Sequence, residues 1–216
     1  MYKQYKVGFF DMDGTLINEN TWELIYNKLG VKGSGWLEEY LMGKISYREL
    51  MKRDIESWIS IRGKVNYREL ENMVKFVTIR DDAKILMTKL VSEGIVPVIV
   101  TAGLDIFAEK VAKELKIDEV YSNRLKLDKN QFLTGDGEAP VEPLNKDKII
   151  LNHLKARGFN NYESFSVGDT EYDSSMFKVT RTGFLLINGH DIKINMSNVI
   201  KIKSLIQVAN YLSPDA

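Results

Sequence analysis

The chain lacks several residues that catalytic and structural sites often need. Among its 216 residues there is no cysteine, and the only histidines are His153 and His190. The absence of cysteine excludes a disulfide framework, a thiolate metal site and a cysteine nucleophile. Two histidines give little basis for a zinc site or a Ser-His-Asp triad. We therefore expect carboxylates, lysines and hydroxyl groups to carry out any chemistry.

Charge and hydropathy exclude further classes of protein. The 30 basic and 30 acidic residues give a formal net charge of zero, which argues against a nucleic-acid or membrane-surface partner bound by bulk electrostatics. No apolar run approaches the roughly 18 residues of a membrane span, and the first residues lack the apolar segment of a signal peptide. With 44% hydrophobic residues the chain can bury a core. We expect a cytoplasmic protein, a monomer or a homodimer, that binds neither nucleic acid nor membranes.

Short apolar segments alternate with amphipathic segments along most of the chain. The apolar segments predict buried strands at residues 5–10, 95–100, 164–167 and 182–187. The amphipathic segments predict helices at residues 81–94 (with Asp81 or Asp82 as N-cap), 104–115, 148–156, 171–178 and 204–212. This alternation predicts an α/β fold with a Rossmann-like, mostly parallel sheet and helices on both faces. Pro97 fits a central strand poorly, because proline has no N–H to donate.

Residues 18–79 interrupt that alternation. They contain all three tryptophans, show helical spacing of apolar residues and include a Gly-Ser-Gly turn at 33–35. We expect a helical cap domain of residues 18–79, inserted after the first strand of a core formed by residues 1–17 and 80–216. A separate pattern around Lys129-Asn130, within residues 124–138, predicts a β-hairpin.

An acidic motif, Asp11-Met12-Asp13-Gly14-Thr15, directly follows the first predicted strand. Side chains two positions apart on an extended backbone project to the same side, so Asp11 and Asp13 are expected to face one small volume. Such a pair can hold a divalent cation, attack an electrophile and transfer protons. Because ligands bind at the carboxyl ends of strands in open α/β sheets, this position favours a functional site over a surface turn.

Three further motifs follow in order along the chain. Thr101-Ala102-Gly103 ends the second predicted strand, Lys146 precedes a predicted helix, and Asp169 follows the third strand with Asp173 shortly after it. Together with the first motif, this ordered set resembles the haloacid dehalogenase (HAD) superfamily, whose first motif is DxDGT or DxDST. The resemblance spans residues 11–173 and implies the fold predicted above, with a cap over the catalytic edge of the sheet.

Carboxylate and carbonyl oxygens in these motifs suit Mg²⁺. Asp11, Asp169 and the backbone carbonyl of Asp13 are hard ligands of the kind that this ion prefers. The resemblance implies that Asp173 lies outside the direct ligands and orders a metal-bound water. The cofactor that we expect is therefore Mg²⁺.

The resemblance also implies roles for the other motif residues. The first aspartate of the family is the nucleophile, so Asp11 is expected to form an aspartyl-phosphate while Asp13 acts as general acid and then base. Thr101 and Lys146 are expected to bind the phosphoryl group. The amides of Ala102 and Gly103 would assist from the N-terminus of the next helix.

Within the superfamily the chain is most similar to the phosphoserine phosphatase branch. The cap segment Gly-Lys-Ile-Ser-Tyr, ending at Tyr47, resembles that branch. The glutamate with which the branch meets the substrate's amino group aligns with Asn20. The cap arginine that holds the substrate's carboxylate aligns with Asp54, and Arg53 stands beside it. We expect Asn20, Tyr47 and Arg53 to line the substrate side of the cleft.

The function expected from these observations is a Mg²⁺-dependent phosphomonoester hydrolase. It would act through an aspartyl-phosphate on a small phosphorylated metabolite, with a phosphoserine-like substrate as one option. A phosphotransferase or mutase with the same intermediate is an alternative. A non-catalytic phosphate-binding regulatory module on the same fold is another.

Overall fold

A mostly parallel sheet forms the centre of the molecule. The computed structural model describes residues 5–33, 35–189 and 192–212; Ser34 of the expected Gly-Ser-Gly turn and His190 lie outside these ranges. The strands are β1 (Val7–Phe10), β2 (Val96–Leu104), β3 (Glu119–Leu127), β4 (Leu133–Glu138), β5 (Ser164–Gly168), β6 (Thr182–Leu186) and β7 (Val199–Ile202).

The strands in this described part are ordered β4-β3-β2-β1-β5-β6-β7. Neighbouring strands pair in parallel, except that β3 and β4 form an antiparallel hairpin. Strand β1 lies between β2 and β5, and every residue of it is buried. The predicted α/β fold class is confirmed, and so is the hairpin around Lys129-Asn130.

Helices cover both faces of the sheet. The core helices are α5 (Asp81–Ser92), α6 (Asp105–Leu115), α7 (Lys146–Arg157), α8 (Ser174–Val179) and α9 (Ile206–Leu212). Successive residues of β1 serve opposite faces: Phe9 packs in one apolar cluster with residues of α7 and α8, and Phe10 packs in the other with residues of α5, α6 and α9. The period of two in a strand thus divides the apolar residues between two cores.

Pro97 is tolerated in β2 because of where the neighbouring strand begins. The N–H of Val96 donates to Lys6 O on the β1 side, so the nitrogen of residue 97 faces the β3 side. Pairing with β3 starts only at Val98, opposite Glu119. The missing N–H of Pro97 therefore removes no hydrogen bond from the sheet.

Strand β2 is longer than the sequence pattern indicates. It continues through the Thr101-Ala102-Gly103 motif to Leu104, and helix α6 begins at Asp105. The pairing with β3 shifts register between Val100 and Leu104, so this motif forms an irregular, bulged end of a strand. The expectation that the Ala102 and Gly103 amides stand at a helix N-terminus is therefore wrong.

Several other boundaries differ from the prediction. Arg80 is the N-cap of α5, in place of Asp81 or Asp82, and residues 171–173 are a 3-10 turn before α8. Strand β7 is absent from the prediction, because its apolar segment, Val-Ile-Lys-Ile at 199–202, is only four residues long. No helix within the described ranges is both long enough and apolar enough to span a membrane.

The segment between β1 and β2 is helical. It contains α1 (Thr21–Leu29), α2 (Trp36–Leu41), α3 (Tyr47–Arg62), α4 (Tyr67–Glu71) and a 3-10 turn (Val74–Phe76). Asn20, Ser46 and Asn66 cap α1, α3 and α4 through their side chains. Ile17 and Ile79 form an antiparallel bridge where the chain leaves and re-enters the core. We refer to residues 18–79 as the cap.

The cap is joined to the β3–β4 hairpin by main-chain hydrogen bonds. The N–H of Leu133 donates to Val65 O at 3.0 Å, and the N–H of Tyr67 donates to Gln131 O at 2.9 Å. On the hairpin itself, Gly137 lies against the side chain of Met51 from α3. The hairpin therefore belongs mechanically with the cap, although it is an extension of the core sheet.

We predict that Gly8→Ala destabilises the protein while Gly33→Ala does not. Gly8 pairs with Phe165 across β1 and β5, and a Cβ at residue 8 would overlap the Phe165 ring, at a cost of about 1–3 kcal/mol. A Cβ at Gly33 would meet only the Tyr26 ring at an ordinary contact distance of 3.8 Å, so its replacement should change stability by less than about 0.5 kcal/mol. Urea denaturation measures both, and equal free energies of unfolding for the two variants would contradict the packing argument.

Candidate active site

The motif residues meet at the carboxyl edge of the sheet. Asp11 follows β1, and its N–H donates to Val167 O of β5 at 2.9 Å. Thr101 lies near the end of β2, and Asp169 follows β5. Lys146 is the first residue of α7, which begins two residues before its predicted start. Parallel strands bring their carboxyl ends to one edge, which is why residues so far apart in sequence converge.

Lys146 joins two buried carboxylates. Its Nζ donates to Asp11 Oδ1 at 2.6 Å and to Asp173 Oδ1 at 2.8 Å. All three side chains are buried, with Lys146 only 3% exposed. Burial disfavours the ammonium, but Asp11 and Asp173 outweigh it and hold the pKa of Lys146 above its ordinary value. The amine is therefore a fixed positive charge beside the predicted nucleophile.

Asp173 organises the loop that follows β5. Its Oδ2 accepts hydrogen bonds from the N–H of Asp169 at 3.0 Å, from the N–H of Thr170 at 3.1 Å and from Thr170 Oγ1 at 3.2 Å. With Oδ1 bound to Lys146, both oxygens of this carboxylate already have protein donors. Asp173 thus positions Asp169 and Lys146, in keeping with the outer role expected from the sequence.

Three carboxylates form a compact acidic cluster. Oxygen atoms of Asp11, Asp169 and Asp173 all lie within 4.8 Å of one another. Thr15 Oγ1 donates to Asp169 Oδ1 at 3.2 Å, and a Cβ at Gly14 would overlap the Asp169 carboxylate. Gly14 also has a φ of +69°, so both its backbone and its lack of a side chain are needed here.

The cluster carries more negative charge than the protein neutralises. Burial raises the pKa of Asp11 well above its ordinary value despite the neighbouring Lys146. Burial, reinforced by Asp173, raises the pKa of Asp169 to about 7. One ammonium among three carboxylates leaves an excess of anionic oxygen, which fits a hard divalent cation such as Mg²⁺. Asp11 and Asp169 are the residues suited to hold it.

Asp13 is held by a residue that no sequence motif singled out. The N–H and Oγ1 of Thr21 donate to Asp13 Oδ2 at 2.7 and 2.8 Å. Burial raises the pKa of Asp13 to about 6, and the two bonds from Thr21 lower it in part. The sequence indicates this contact only weakly, because threonine is common at the start of a helix. Through it, the start of α1 fixes one oxygen of Asp13.

The Thr101-Ala102-Gly103 motif is tied to both the cap and the core. Thr101 is 1% exposed, and its Oγ1 accepts from the N–H of Gly103 at 2.9 Å. The carbonyl of Ala102 accepts from Tyr47 Oη at 3.0 Å, from Trp22 Nε1 at 3.2 Å and from Asn123 Nδ2 at 2.9 Å. The predicted residue Tyr47 therefore reaches the site, together with Trp22 and Asn123.

Similarity to known proteins agrees with this geometry. A family model described as haloacid dehalogenase-like hydrolase matches residues 9–178. The chain belongs to this hydrolase family. Among its relatives, a phosphoserine phosphatase of Methanocaldococcus jannaschii is 30% identical over 82% of this chain and 83% of that protein. A phosphoserine phosphatase of Lactococcus lactis is 26% identical over 94% of this chain and 93% of that protein.

Solved structures show the same relationship. The hydrolase matches a substrate-bound phosphoserine phosphatase complex with a TM-score of 0.80 at 25% identity, over 98% of this chain and all (100%) of the other. It matches a phospho-aspartyl intermediate analogue of phosphoserine phosphatase with a TM-score of 0.77, also at 25% identity and with the same coverage. The predicted resemblance and the predicted enzyme class, a HAD-family phosphatase, are confirmed.

Two predicted substrate residues of the hydrolase are engaged by other partners. Asn20 is exposed, and its side chain caps α1 by accepting from the N–H of Glu23 at 3.1 Å. Arg53 bonds to Glu49 at 2.8 Å and to Glu39 at 3.0 Å, and it borders an open groove formed by residues of α2 and α3.

Asp54, beside Arg53, points in the other direction. It is 5% exposed, on the buried side of α3. Its carboxylate is close enough to Tyr26 and Tyr47 to add to the effect of burial, which raises the pKa of both phenols above the ordinary value. The Asp54 carboxylate thus lies on the buried side of α3, and the Arg53 guanidinium lies at the open groove.

We predict that Lys146→Met destabilises the Mg²⁺-free hydrolase strongly and in a pH-dependent way. Removing the amine leaves Asp11 and Asp173 buried without their cation, at a cost of about 3–5 kcal/mol. The folded-state pKa of Asp11 is then raised further above its unfolded value. The penalty grows as the pH rises above the unfolded pKa and shrinks as protonation of the carboxylates neutralises them.

Urea denaturation at about pH 8 and about pH 5 measures this dependence. The control is Lys148→Met, which removes an exposed lysine two residues away and should be neutral at both pH values. A loss of stability in Lys146→Met that is equal at the two pH values would contradict the electrostatic explanation.

Proposed function

We propose that this protein is a Mg²⁺-dependent phosphomonoesterase that hydrolyses a small phosphorylated metabolite through an aspartyl-phosphate on Asp11. The observation that carries the proposal is the placement of Asp11. Its carboxylate lies at the edge of the sheet, fixed by Lys146 and within 4.8 Å of Asp169 and Asp173. When bound by Asp11 and Asp169, the cation would offset the repulsion between the nucleophile and an anionic phosphoryl group.

Asp13 is suited to general acid–base catalysis. Its Oδ2 is fixed by Thr21, while its Oδ1 is buried and accepts no hydrogen bond within the described residues. With a pKa of about 6, the carboxyl can carry a proton near neutral pH and release it to a leaving oxygen. The resulting carboxylate can then take a proton from the water that hydrolyses the aspartyl-phosphate.

The relatives support this chemistry and suggest a first substrate. The proteins from Methanocaldococcus jannaschii and Lactococcus lactis are phosphoserine phosphatases, and one of the similar structures is a phospho-aspartyl intermediate analogue. The cap of this chain differs from what recognition of a substrate carboxylate needs, because Arg53 is engaged by Glu39 and Glu49 while Asp54 faces inward. We therefore propose that the cap does not select for a substrate that carries a carboxylate. In this proposal the chain consists of a catalytic core (1–17, 80–216) and a cap domain (18–79).

We predict that the protein releases phosphate from small phosphomonoesters with Mg²⁺ and that Asp11→Asn lowers kcat by about a thousandfold or more. The amide keeps the shape of the side chain but is not a nucleophile. The substrates to compare are O-phosphoserine, O-phosphoethanolamine without the carboxylate and 3-phosphooxypropionate without the amine. We expect the loss of the carboxylate to leave kcat/KM unchanged or higher.

The matched control is Asp118→Asn, an exposed position away from the cluster, which should retain full activity. Phosphate release by Asp11→Asn at the parental rate would contradict the assignment of Asp11 as the nucleophile. Absence of release from any ester by the parental chain would rule out the proposed function.

We predict that Thr21→Val moves the alkaline limb of the kcat/KM profile to higher pH. The bonds from Thr21 stabilise the Asp13 carboxylate, so loss of the hydroxyl raises the pKa of Asp13 further. Asp13 acts as an acid only below its pKa, and a higher pKa therefore preserves the acid form to higher pH. Thr88→Val, on the exposed face of α5, should leave the profile in place. A limb that moves to lower pH, or stays fixed, would contradict this role.

A further inference from the structure

One carbonyl group receives donors from the cap and from the core at the same time. Ala102 O accepts from Tyr47 Oη and Trp22 Nε1 on the cap and from Asn123 Nδ2 on β3, at 3.0, 3.2 and 2.9 Å. A carbonyl oxygen has two lone pairs, so three donors compete for it. The methyl of Ala102 also packs against an apolar cluster of the cap that includes Tyr40 and Tyr47.

The core donor is rigid, whereas the two cap donors depend on the position of the cap. Asn123 is fully buried, and its amide is held by Val141 through Nδ2 to Val141 O and Val141 N to Oδ1, both at 3.0 Å. Tyr47 and Trp22 stand at the first turns of α3 and α1. They can reach Ala102 O only when the cap lies against the core.

The carbonyl of Ala102 and the N–H of Gly103 belong to one planar peptide group. Donors that orient the carbonyl therefore also orient the N–H, which points the opposite way. This N–H donates to Thr101 Oγ1 at 2.9 Å. A hydroxyl oxygen that accepts from Gly103 directs its own hydrogen elsewhere, which leaves that hydrogen for a phosphoryl oxygen.

We propose that Tyr47 and Trp22 are positioning residues that, with the cap closed, fix the Ala102–Gly103 peptide and through it the hydroxyl of Thr101. The inference rests on the proposed function in that Thr101 is taken as a phosphate donor. Closure of the cap then does more than exclude water, because it completes the phosphate site in the core. A residue of the cap that never touches the phosphate contributes to its binding.

Binding of inorganic phosphate tests this coupling, because phosphate has no organic part to contact the cap. With Mg²⁺ at a fixed, saturating concentration, calorimetry measures its Kd for the parent, Tyr47→Phe, Trp22→Phe and the double variant. Since one lost donor is partly replaced by the other two, we expect about a two- to threefold rise in Kd for each single variant. For the double variant we expect about tenfold or more, exceeding the product of the single effects.

A control removes a hydroxyl of the same kind elsewhere. Tyr5→Phe deletes a buried phenol hydroxyl that bonds to Thr182 Oγ1 at 2.8 Å in the core. This variant should bind phosphate as the parent does. A folded double variant with the parental Kd, and only a higher KM for an organic ester, would overturn the proposal and make Tyr47 and Trp22 substrate contacts.

Hydrogen exchange of the Gly103 amide gives a second readout that needs neither ligand nor turnover. We expect at least about tenfold faster exchange in the double variant, since the peptide is then less restrained. Unchanged exchange in a folded variant would overturn the proposal. Faster exchange in a chain that hydrolyses no ester would support the coupling while the proposed function fails, so the two are tested separately.

Discussion

The contact of Lys146 with Asp11 and Asp173 is the interaction on which the rest of the site depends. Without the ammonium, two buried carboxylates would face each other in a low-dielectric environment, where like charges are costly. With it, Asp11 stays oriented at the end of β1, and Asp173 is free to use its second oxygen to hold the loop after β5. The amine thus links α7 to the segments that follow β1 and β5, and its charge supports both the geometry and the proposed chemistry.

The cap contributes to the site through the first residues of two of its helices. Thr21 begins α1 and binds Asp13, and Tyr47 begins α3 and binds the carbonyl of Ala102. The cap therefore takes part in the catalytic edge through two fixed points, in addition to covering it.

The core of the site could be predicted from the sequence because it consists of short motifs at strand ends. Asp11, Asp169 and Lys146 were found by order and residue type, and the parallel sheet brings them together as expected. The contacts of Thr21, Trp22 and Asn123 could not be predicted, since they join segments distant in sequence and use residue types that are common elsewhere. These contacts depend on proximity in the folded structure, which no sequence pattern indicates.

The strand and helix boundaries show the same division. The fully buried strands β5 and β6 match their predicted bounds to within one residue, because burial on both faces leaves a mostly apolar run. The continuation of β2 through Thr101-Ala102-Gly103 was missed, since small and polar residues there resemble a turn. Pairing with β3 resumes at Leu104, opposite Asn123, so the strand extends past the motif despite the irregular register.

The hydrogen bonds between the cap and the hairpin have a consequence for opening. Because Leu133 and Tyr67 bond across from hairpin to cap, a cap that moves as a rigid body carries the β3–β4 tip with it. The chain then passes between the moving and the static part at four places: the two crossings at Ile17 and Ile79, and the two strands of the hairpin. Such a joint resists twisting more than a two-strand hinge does and restricts the cap to motion about an axis shared by all four crossings. The path by which a substrate enters is accordingly set by the hairpin as much as by the cap.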